Sequence, residues 1–193
     1  EEYNRDAIYG YTDTFPEYTS ATLNWWKNKH DYKTKPEWQV YAPGVLPLLY
    51  TTVRAFTNPG DEIIIQPPIY PPFYECIEKN GRDVLKNPLR RNTDGSYEMD
   101  FDHLNEIITP KTKAIILCSP HNPVGRVWSE RELNILADII CENNLILITD
   151  EIHADLVYAP NKHIPIATLN DDIAERSISL TSPAKTFNLQ AFQ

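Results

Sequence analysis

Apolar runs and amphipathic stretches alternate along the chain. Four short runs are rich in β-branched residues and are apolar at consecutive rather than alternating positions, which is typical of strands covered on both faces. These predicted strands span residues 62–66, 113–118, 145–150 and 177–180. Because strands of this kind occur mainly in parallel sheets, the pattern predicts a mostly parallel sheet.

Helical periodicity fills the segments between the predicted strands. Its clearest instance follows Ser129 and Glu132, which form a capping-box pattern ahead of an apolar stripe. Further helices are expected over residues 18–30, 47–56, 72–80 and 100–108. The alternation of helix and strand predicts an α/β layer fold.

Composition narrows the class of protein. Hydrophobic residues make up 41% of the 193 positions and charged residues 23%, as in an ordinary soluble globular protein. The net charge of −9 argues against a nucleic-acid partner, and no apolar run is long enough to span a membrane. The cysteines, Cys76, Cys118 and Cys141, have neither disulfide nor zinc spacing, so we expect a cytoplasmic protein.

Unusual polar residues follow three of the predicted strands. Asn122 comes shortly after the second strand, Asp150 ends the third, and Lys185 follows the fourth. Taken singly, these residues have commoner explanations, namely a turn, a helix cap and a solvated lysine. The intervals between them allow helical crossovers, however, and ligands gather at the carboxyl ends of parallel strands. The order therefore predicts that the three side chains meet at one edge of the sheet.

Three stretches carry a resemblance to a known family: SPHNPVG at residues 119–125, TDEIHADL at 149–156 and SPAKTFN at 182–188. Through them the chain resembles the fold-type-I pyridoxal-phosphate (PLP) enzymes of the class I/II aminotransferase superfamily. The resemblance implies a three-layer α/β/α fold with a mostly parallel sheet. This fold is the PLP-binding large domain of the aspartate-aminotransferase-like enzymes, and we expect it to be incomplete here.

The resemblance implies roles for four residues around the ring of PLP. Lys185 matches the catalytic lysine that tethers the cofactor as a Schiff base, although Ala184 stands before it where the family often has serine. Asp150 matches the carboxylate that keeps the pyridine nitrogen protonated. Asn122 matches the donor to the phenolic oxygen, and Tyr70 matches the aromatic residue that stacks on the ring.

Further cofactor-binding residues are implied around the phosphate. Gly44 and Val45 precede a predicted helix whose start can bind the phosphate together with the hydroxyl of Ser182. Tyr11 resembles a tyrosine that reaches the phosphate from the neighbouring subunit, which implies a homodimer with shared active sites. His153 either supports the aspartate from behind or is a core histidine, and both interpretations stay open.

Within the family, YGY at residues 9–11, APGV at 42–45 and QPPIY at 66–70 look most like the cystathionine β-lyase branch of the MalY/PatB type. This branch implies a PLP-dependent C–S β-lyase of methionine biosynthesis that acts on a small amino-acid substrate. It would cleave L-cystathionine, or a related cysteine S-conjugate, to a thiol, pyruvate and ammonia. The alternatives are an aminotransferase acting between an amino acid and a 2-oxo acid, a non-catalytic regulator, and an α/β domain with no cofactor.

The resemblance also divides the chain. Residues 1–40 are expected to form an N-terminal helical segment and loop, and residues 41–193 the PLP-binding large domain, ending soon after Lys185. A second domain, with the arginine that holds the substrate carboxylate, is expected after Gln193. The chain alone is therefore expected to be inactive.

The remaining polar candidates are interpreted as structural. Arg90 and Arg91 read as a solvated pair beside a turn. Four histidines without metal-ligand spacing are interpreted as surface or turn residues: His30, His103, His121 and His163. Cys118 is expected in the core, since it lies on a strand. No metal site is expected.

Overall fold

The computed structural model describes residues 15–190. The chain separates into two compact units, of which residues 15–41 and 42–190 are described. The first unit contains helix α1 (Pro16–His30) and a short 3₁₀ turn at Pro36–Trp38. Helix α1 begins at a proline, whose missing N–H is not needed in a first turn, and is followed by Asp31 in the left-handed conformation. The helix predicted over residues 18–30 is confirmed.

The second unit is built on a parallel sheet. Its described residues form seven strands: β1 (Glu62–Ile65), β2 (Asp83–Lys86), β3 (Arg90–Arg91), β4 (Tyr97–Glu98), β5 (Thr112–Cys118), β6 (Ile146–Asp150) and β7 (Ser177–Leu180). Five of them pair in parallel in the order β2-β1-β5-β6-β7, and β3 pairs with β4 as an antiparallel hairpin. The four predicted strands are confirmed as neighbours in one parallel sheet.

Helices cover both faces of this sheet. Those described in the second unit are α2 (Val45–Phe56), α3 (Pro72–Lys79), α4 (Phe101–Ile107), α5 (Glu130–Glu142), α6 (Asp171–Ala174) and α7 (Pro183–Phe187). One apolar cluster joins α2 and α3 to Ile63 and Ile65, and a second joins α4, α5 and α6 to Ile64. Because side chains alternate along a strand, both faces of β1 are apolar. The three-layer α/β/α architecture is confirmed.

The edge strand β2 and the hairpin were not predicted. Strand β2 reads Asp-Val-Leu-Lys and is exposed or half-buried at every position, so it lacks the continuous apolar run of the inner strands. Arg90 is exposed as predicted, and its Nε donates at 2.6 Å to Oδ2 of Asp100, the residue that caps α4. Helix α2 begins two residues earlier than predicted, since Pro47 is tolerated inside a first turn.

The interpretation of His121 and His163 as surface or turn residues is wrong, because both are buried. The Nε2 atom of His121 lies 3.0 Å from the carbonyl oxygen of Pro68, and its ring meets Trp128 edge-on. Cys118 is buried as expected. None of the helices in residues 15–190 is long and apolar enough to cross a membrane.

Candidate active site

The carboxyl ends of β1, β5, β6 and β7 form one continuous edge. Cys118 of β5 pairs with Asp150 of β6, and Asp150 in turn with Leu180 of β7. The amide of Ser119 donates to the Asp150 carbonyl oxygen at 3.0 Å, so these strands end at the same level. From β1 the chain passes first to β2 on one side and later to β5 on the other. Such a reversal of strand order leaves a crevice in which ligands of open α/β sheets bind.

Asp150 is the most unusual side chain at this edge, since the residue is only 7% exposed. Burial raises the pKa of Asp150 to about 6. The Ile152 amide donates to Asp150 Oδ1 at 3.1 Å, and this hydrogen bond acts in the opposite direction, lowering the pKa. The neighbouring Glu151 carboxylate raises the pKa further. Within residues 15–190, no lysine, arginine or histidine forms an ion pair with Asp150. A cationic ligand at this edge would therefore stabilise its charged form.

Asn122 lies in the tight loop that follows β5. The loop is closed by two backbone hydrogen bonds of 2.8 Å, from His121 to Arg126 and from Gly125 to His121. The amide of Asn122 donates to Cys118 Sγ at 3.3 Å. Burial raises the pKa of Cys118 to about 12, so its sulfur stays a thiol inside the core. The half-buried side-chain amide of Asn122 has no hydrogen-bond partner among the described residues and remains available to a ligand.

Helix α7 presents Lys185 directly after β7. Ser182 caps the helix, because its Oγ accepts the amide of Ala184 at 3.1 Å. This contact uses the hydroxyl oxygen as an acceptor and leaves the hydroxyl proton to donate elsewhere. Ala184 is buried, whereas Lys185 is exposed. The sequence motif is thus folded so that an anchored helix turn carries a solvent-accessible lysine.

Gly44 and Val45 stand at the start of α2, as predicted. Gly44 has φ 98° and ψ 162°, a conformation that is essentially restricted to glycine. No side chain caps this helix start, so its first amides can bind an anion. Tyr70 lies in the segment between β1 and α3, exposed, with its ring edge-on to Phe73 at a centroid distance of 6.0 Å. The exposed ring of Tyr70 is therefore accessible to a ligand.

His153 is half-buried and follows β6. It lines, together with Asn122, a cleft of about 340 Å³. Burial lowers the pKa of His153, and the positive charge of Lys185 lowers it further. No hydrogen bond joins His153 to Asp150 within residues 15–190. Tyr11, the residue matched to the partner subunit, lies outside the described residues.

The comparisons with known proteins agree with this arrangement of strands and polar side chains. The family described as aminotransferase class I and II matches residues 2–193. The chain belongs to this family. Cystathionine beta-lyase PatB of Bacillus subtilis (strain 168) is 43% identical over 188 residues, which cover 97% of this chain and 48% of PatB. Protein MalY of Escherichia coli (strain K12) is 33% identical over 188 residues, 96% of this chain and 47% of MalY.

A solved structure agrees with the fold in three dimensions. Cystalysin from Treponema denticola, whose crystal structure contains a pyridoxal 5'-phosphate cofactor, superimposes with a TM-score of 0.93 at 36% identity. The match covers 98% of this chain and 48% of cystalysin. The chain thus spans about half the length of the relatives it matches.

Two contacts beside the site escaped sequence reasoning. Glu151, directly after Asp150, is buried with its Oε2 2.7 Å from Nε2 of His163. Thr186, directly after Lys185, donates from Oγ1 to Asp155 Oδ2 at 2.7 Å. Both acidic residues lie in the TDEIHADL stretch that carried the resemblance. Their partners sit in a loop and on a short helix, whose positions no periodicity indicates.

Proposed function

We propose that this chain is the cofactor-holding part of a PLP-dependent C–S β-lyase. Its substrate would be L-cystathionine or a related cysteine S-conjugate, cleaved with water to a thiol, pyruvate and ammonia. The observation that carries the proposal is the carboxyl group of Asp150, buried and without an ion-pair partner in residues 15–190. It lies between the ends of two neighbouring strands, with Asn122 after one and Lys185 after the other. Bound PLP supplies an electron sink for the carbanion at the substrate Cα.

The residues at the sheet edge fit the ring of this cofactor. Asp150 would accept the proton-bearing pyridine nitrogen, and the positive charge would offset the cost of burying its carboxylate. Asn122 would donate its free side-chain amide to the phenolic oxygen. Tyr70, whose ring is exposed, would stack on the pyridine. The pyridine nitrogen, the phenolic oxygen and the face of the ring would therefore each have a partner at this edge of the sheet.

The phosphate fits the start of α2. Gly44, whose own amide donates to the Ala42 carbonyl oxygen at 2.7 Å, leads into Val45, whose backbone amide stands at the positive end of a helix dipole. Ser182 has a hydroxyl proton to donate. We assign Tyr11 to the phosphate of the neighbouring subunit on the resemblance alone. The absence of a serine at Ala184 removes one hydroxyl that many family members have, so the α2 amides carry more of the phosphate binding.

Lys185 would move the protons of the reaction. Its Nζ would hold the cofactor covalently at rest and, when free, would act as the base that takes the proton from the substrate Cα. Its placement on an exposed helix turn gives the amine the freedom that these two roles require. Burial and the charge of Lys185 lower the pKa of His153, so its imidazole would stay neutral beside the lysine.

The likeness to PatB across 97% of the chain supports a lyase over an aminotransferase. The aminotransferase stays the second candidate, because the matched family is that of the class I and II aminotransferases. The two reactions share the residues named above and differ in the fate of the substrate. A lyase releases pyruvate with no second substrate, whereas an aminotransferase needs a 2-oxo acid to complete its cycle.

The test is pyruvate release by the intact protein that carries this chain, supplied with PLP and L-cystathionine. The proposed function predicts steady pyruvate and thiol formation without any 2-oxo acid. Lys185→Ala should abolish both the activity and the visible absorbance of the bound cofactor. Lys111→Ala, at the opposite edge of the sheet, should change neither. Strict dependence on a 2-oxo acid would establish the aminotransferase instead, and a colourless protein would exclude both.

The chain by itself is expected to form no pyruvate, because it spans about half the length of its relatives. We also propose a cytoplasmic homodimer with shared sites; the three thiols, all free, suit a reducing compartment. Mixed dimers of Lys185→Ala and Tyr11→Phe subunits test this arrangement. One site of each mixed dimer would have both native residues, so mixing should restore activity that neither variant has alone.

A further inference from the structure

Helix α7 is too short to hold its own orientation. It has five residues, and a single turn of this kind is unstable without outside contacts. The methyl group of Ala184 is buried, and Thr186 Oγ1 donates to Asp155 Oδ2 at 2.7 Å across 31 positions of the sequence. Lys185 stands between these two anchors.

The spacing of the two anchors decides where Lys185 points. Successive helical residues are rotated by about 100° around the axis, so residues 184 and 186 lie on either side of the direction of residue 185. Burial of Ala184 fixes one side of the turn, and the Thr186 hydrogen bond fixes the other. Without the second anchor the turn can rotate about the first, and the lysine rotates with it.

Asp155 itself is tied to strand β6. The segment that carries it begins at Glu151, which is held by the buried contact with His163 at 2.7 Å. Two turns follow, closed by backbone hydrogen bonds of 2.9 Å from Ala154 to Glu151 and from Leu156 to His153. The segment therefore extends the rigid strand end rather than forming a free loop. The hydrogen bond of Thr186 consequently links α7 to the strand that ends in Asp150.

We propose that the Thr186–Asp155 hydrogen bond positions the Lys185 amine relative to the Asp150 carboxylate, and that both residues are positioning residues of the site. The proposal rests on the proposed function, in which one cofactor molecule must reach Lys185 at one end and Asp150 at the other. The span between these groups then has to match a rigid ring. The hydrogen bond sets that span by joining the lysine helix to the aspartate strand.

The test is Thr186→Val in the intact protein, which removes the hydroxyl and keeps the branched shape. We expect kcat to fall about 10-fold with KM unchanged, since small misplacements of a reacting group reduce rates by such factors. In the cofactor-free protein, the amides of α7 should exchange hydrogen faster and added PLP should be captured more slowly. Thr186→Ser should restore all three measurements. Thr168→Val, which loses a local hydrogen bond to Pro165, is the matched control.

The outcomes separate this proposal from the proposed function. If the unaltered protein is active but Thr186→Val matches the Thr168→Val control in kcat and capture rate, the positioning role is wrong and the function stands. If the unaltered protein neither binds PLP nor releases pyruvate, both fail together. Should Thr186→Val not fold, Asp155→Ala removes the acceptor instead and must show the same loss of kcat. A folded Asp155→Ala protein with native kcat would overturn the proposal.

Discussion

The buried carboxyl group of Asp150 destabilises the cofactor-free protein at neutral pH, and the size of this effect follows from the shift in its pKa. Folding raises the pKa from the ordinary 3.8 to about 6, so the folded protein holds the proton more tightly than the unfolded chain. Protonated Asp150 therefore contributes to the free energy of unfolding. This contribution is fully present below the pKa of the carboxyl group in the unfolded chain, and it is lost as the pH rises through the pKa in the folded protein. At 1.36 kcal/mol per unit, the loss amounts to about 3 kcal/mol.

The perturbation is Asp150→Asn, which keeps the shape and removes the charge. In the cofactor-free intact protein, we expect the asparagine variant to be more stable than the native protein by about 3 kcal/mol at neutral pH. The difference should shrink as the pH falls and vanish near the unfolded pKa of the carboxyl group. Urea unfolding followed by tryptophan fluorescence, across this pH range, measures it. Asp94→Asn is a control of opposite sign, because hydrogen bonds from Ser96 hold the pKa of Asp94 low.

Adding PLP should favour the native protein over the Asp150→Asn variant. The native carboxylate gains a cationic partner, whereas the asparagine cannot hold the pyridine nitrogen protonated. The variant should therefore bind PLP more weakly although it folds more stably without it. A stability difference that does not change with pH, or equal affinity of both proteins for PLP, would refute the reasoning.

Three further predictions concern residues around this carboxylate. Replacing Lys185 with methionine should raise the pKa of His153, since it removes a positive charge; the imidazole proton signals measured by NMR against pH report it. His163→Ala should lower the free energy of unfolding by about 3–5 kcal/mol, because it leaves the buried Glu151 without this partner. Gly44→Ala should cost about 1–3 kcal/mol in the same measurement and weaken phosphate binding, and an unchanged midpoint would contradict the strain at φ 98°.

The sequence predicted those parts of the molecule that repeat a simple pattern. The inner strands are covered on both faces, so their runs are continuously apolar, and the capping box of Ser129 and Glu132 is formed as expected. Edge strand β2 lacks that pattern because water covers much of it. The site residues Asn122 and Asp150 could be placed together because parallel strands end at one edge.

Other contacts depend on loop paths that no period encodes. The pairing of Glu151 with His163 spans twelve positions of irregular chain, and the sequence around His163 wrongly predicts a surface or turn residue. The hydrogen bond between Thr186 and Asp155 joins a five-residue helix to a turn. In both cases the acidic residue belongs to the TDEIHADL stretch, which the sequence singles out. Its partner depends on the path of the chain after β6 or β7, which the sequence pattern does not predict.

Asp150 and its neighbour Thr149 lie on opposite faces of strand β6, so the loss of stability caused by burying the Asp150 carboxylate belongs to one face of the sheet. Alternation along the strand places Asp150 with Ile148, which packs in the α2 cluster, and Thr149 with Leu147, which packs against α5. The hydroxyl of Thr149 is also buried and has no hydrogen-bond partner among the described residues. Thr149→Val should therefore stabilise the protein by about 1 kcal/mol. Unlike Asp150→Asn, it should do so at every pH and leave PLP affinity unchanged, because its side chain faces away from the cofactor. A loss of PLP affinity in Thr149→Val would contradict the placement of the cofactor on the face of the sheet that carries Asp150.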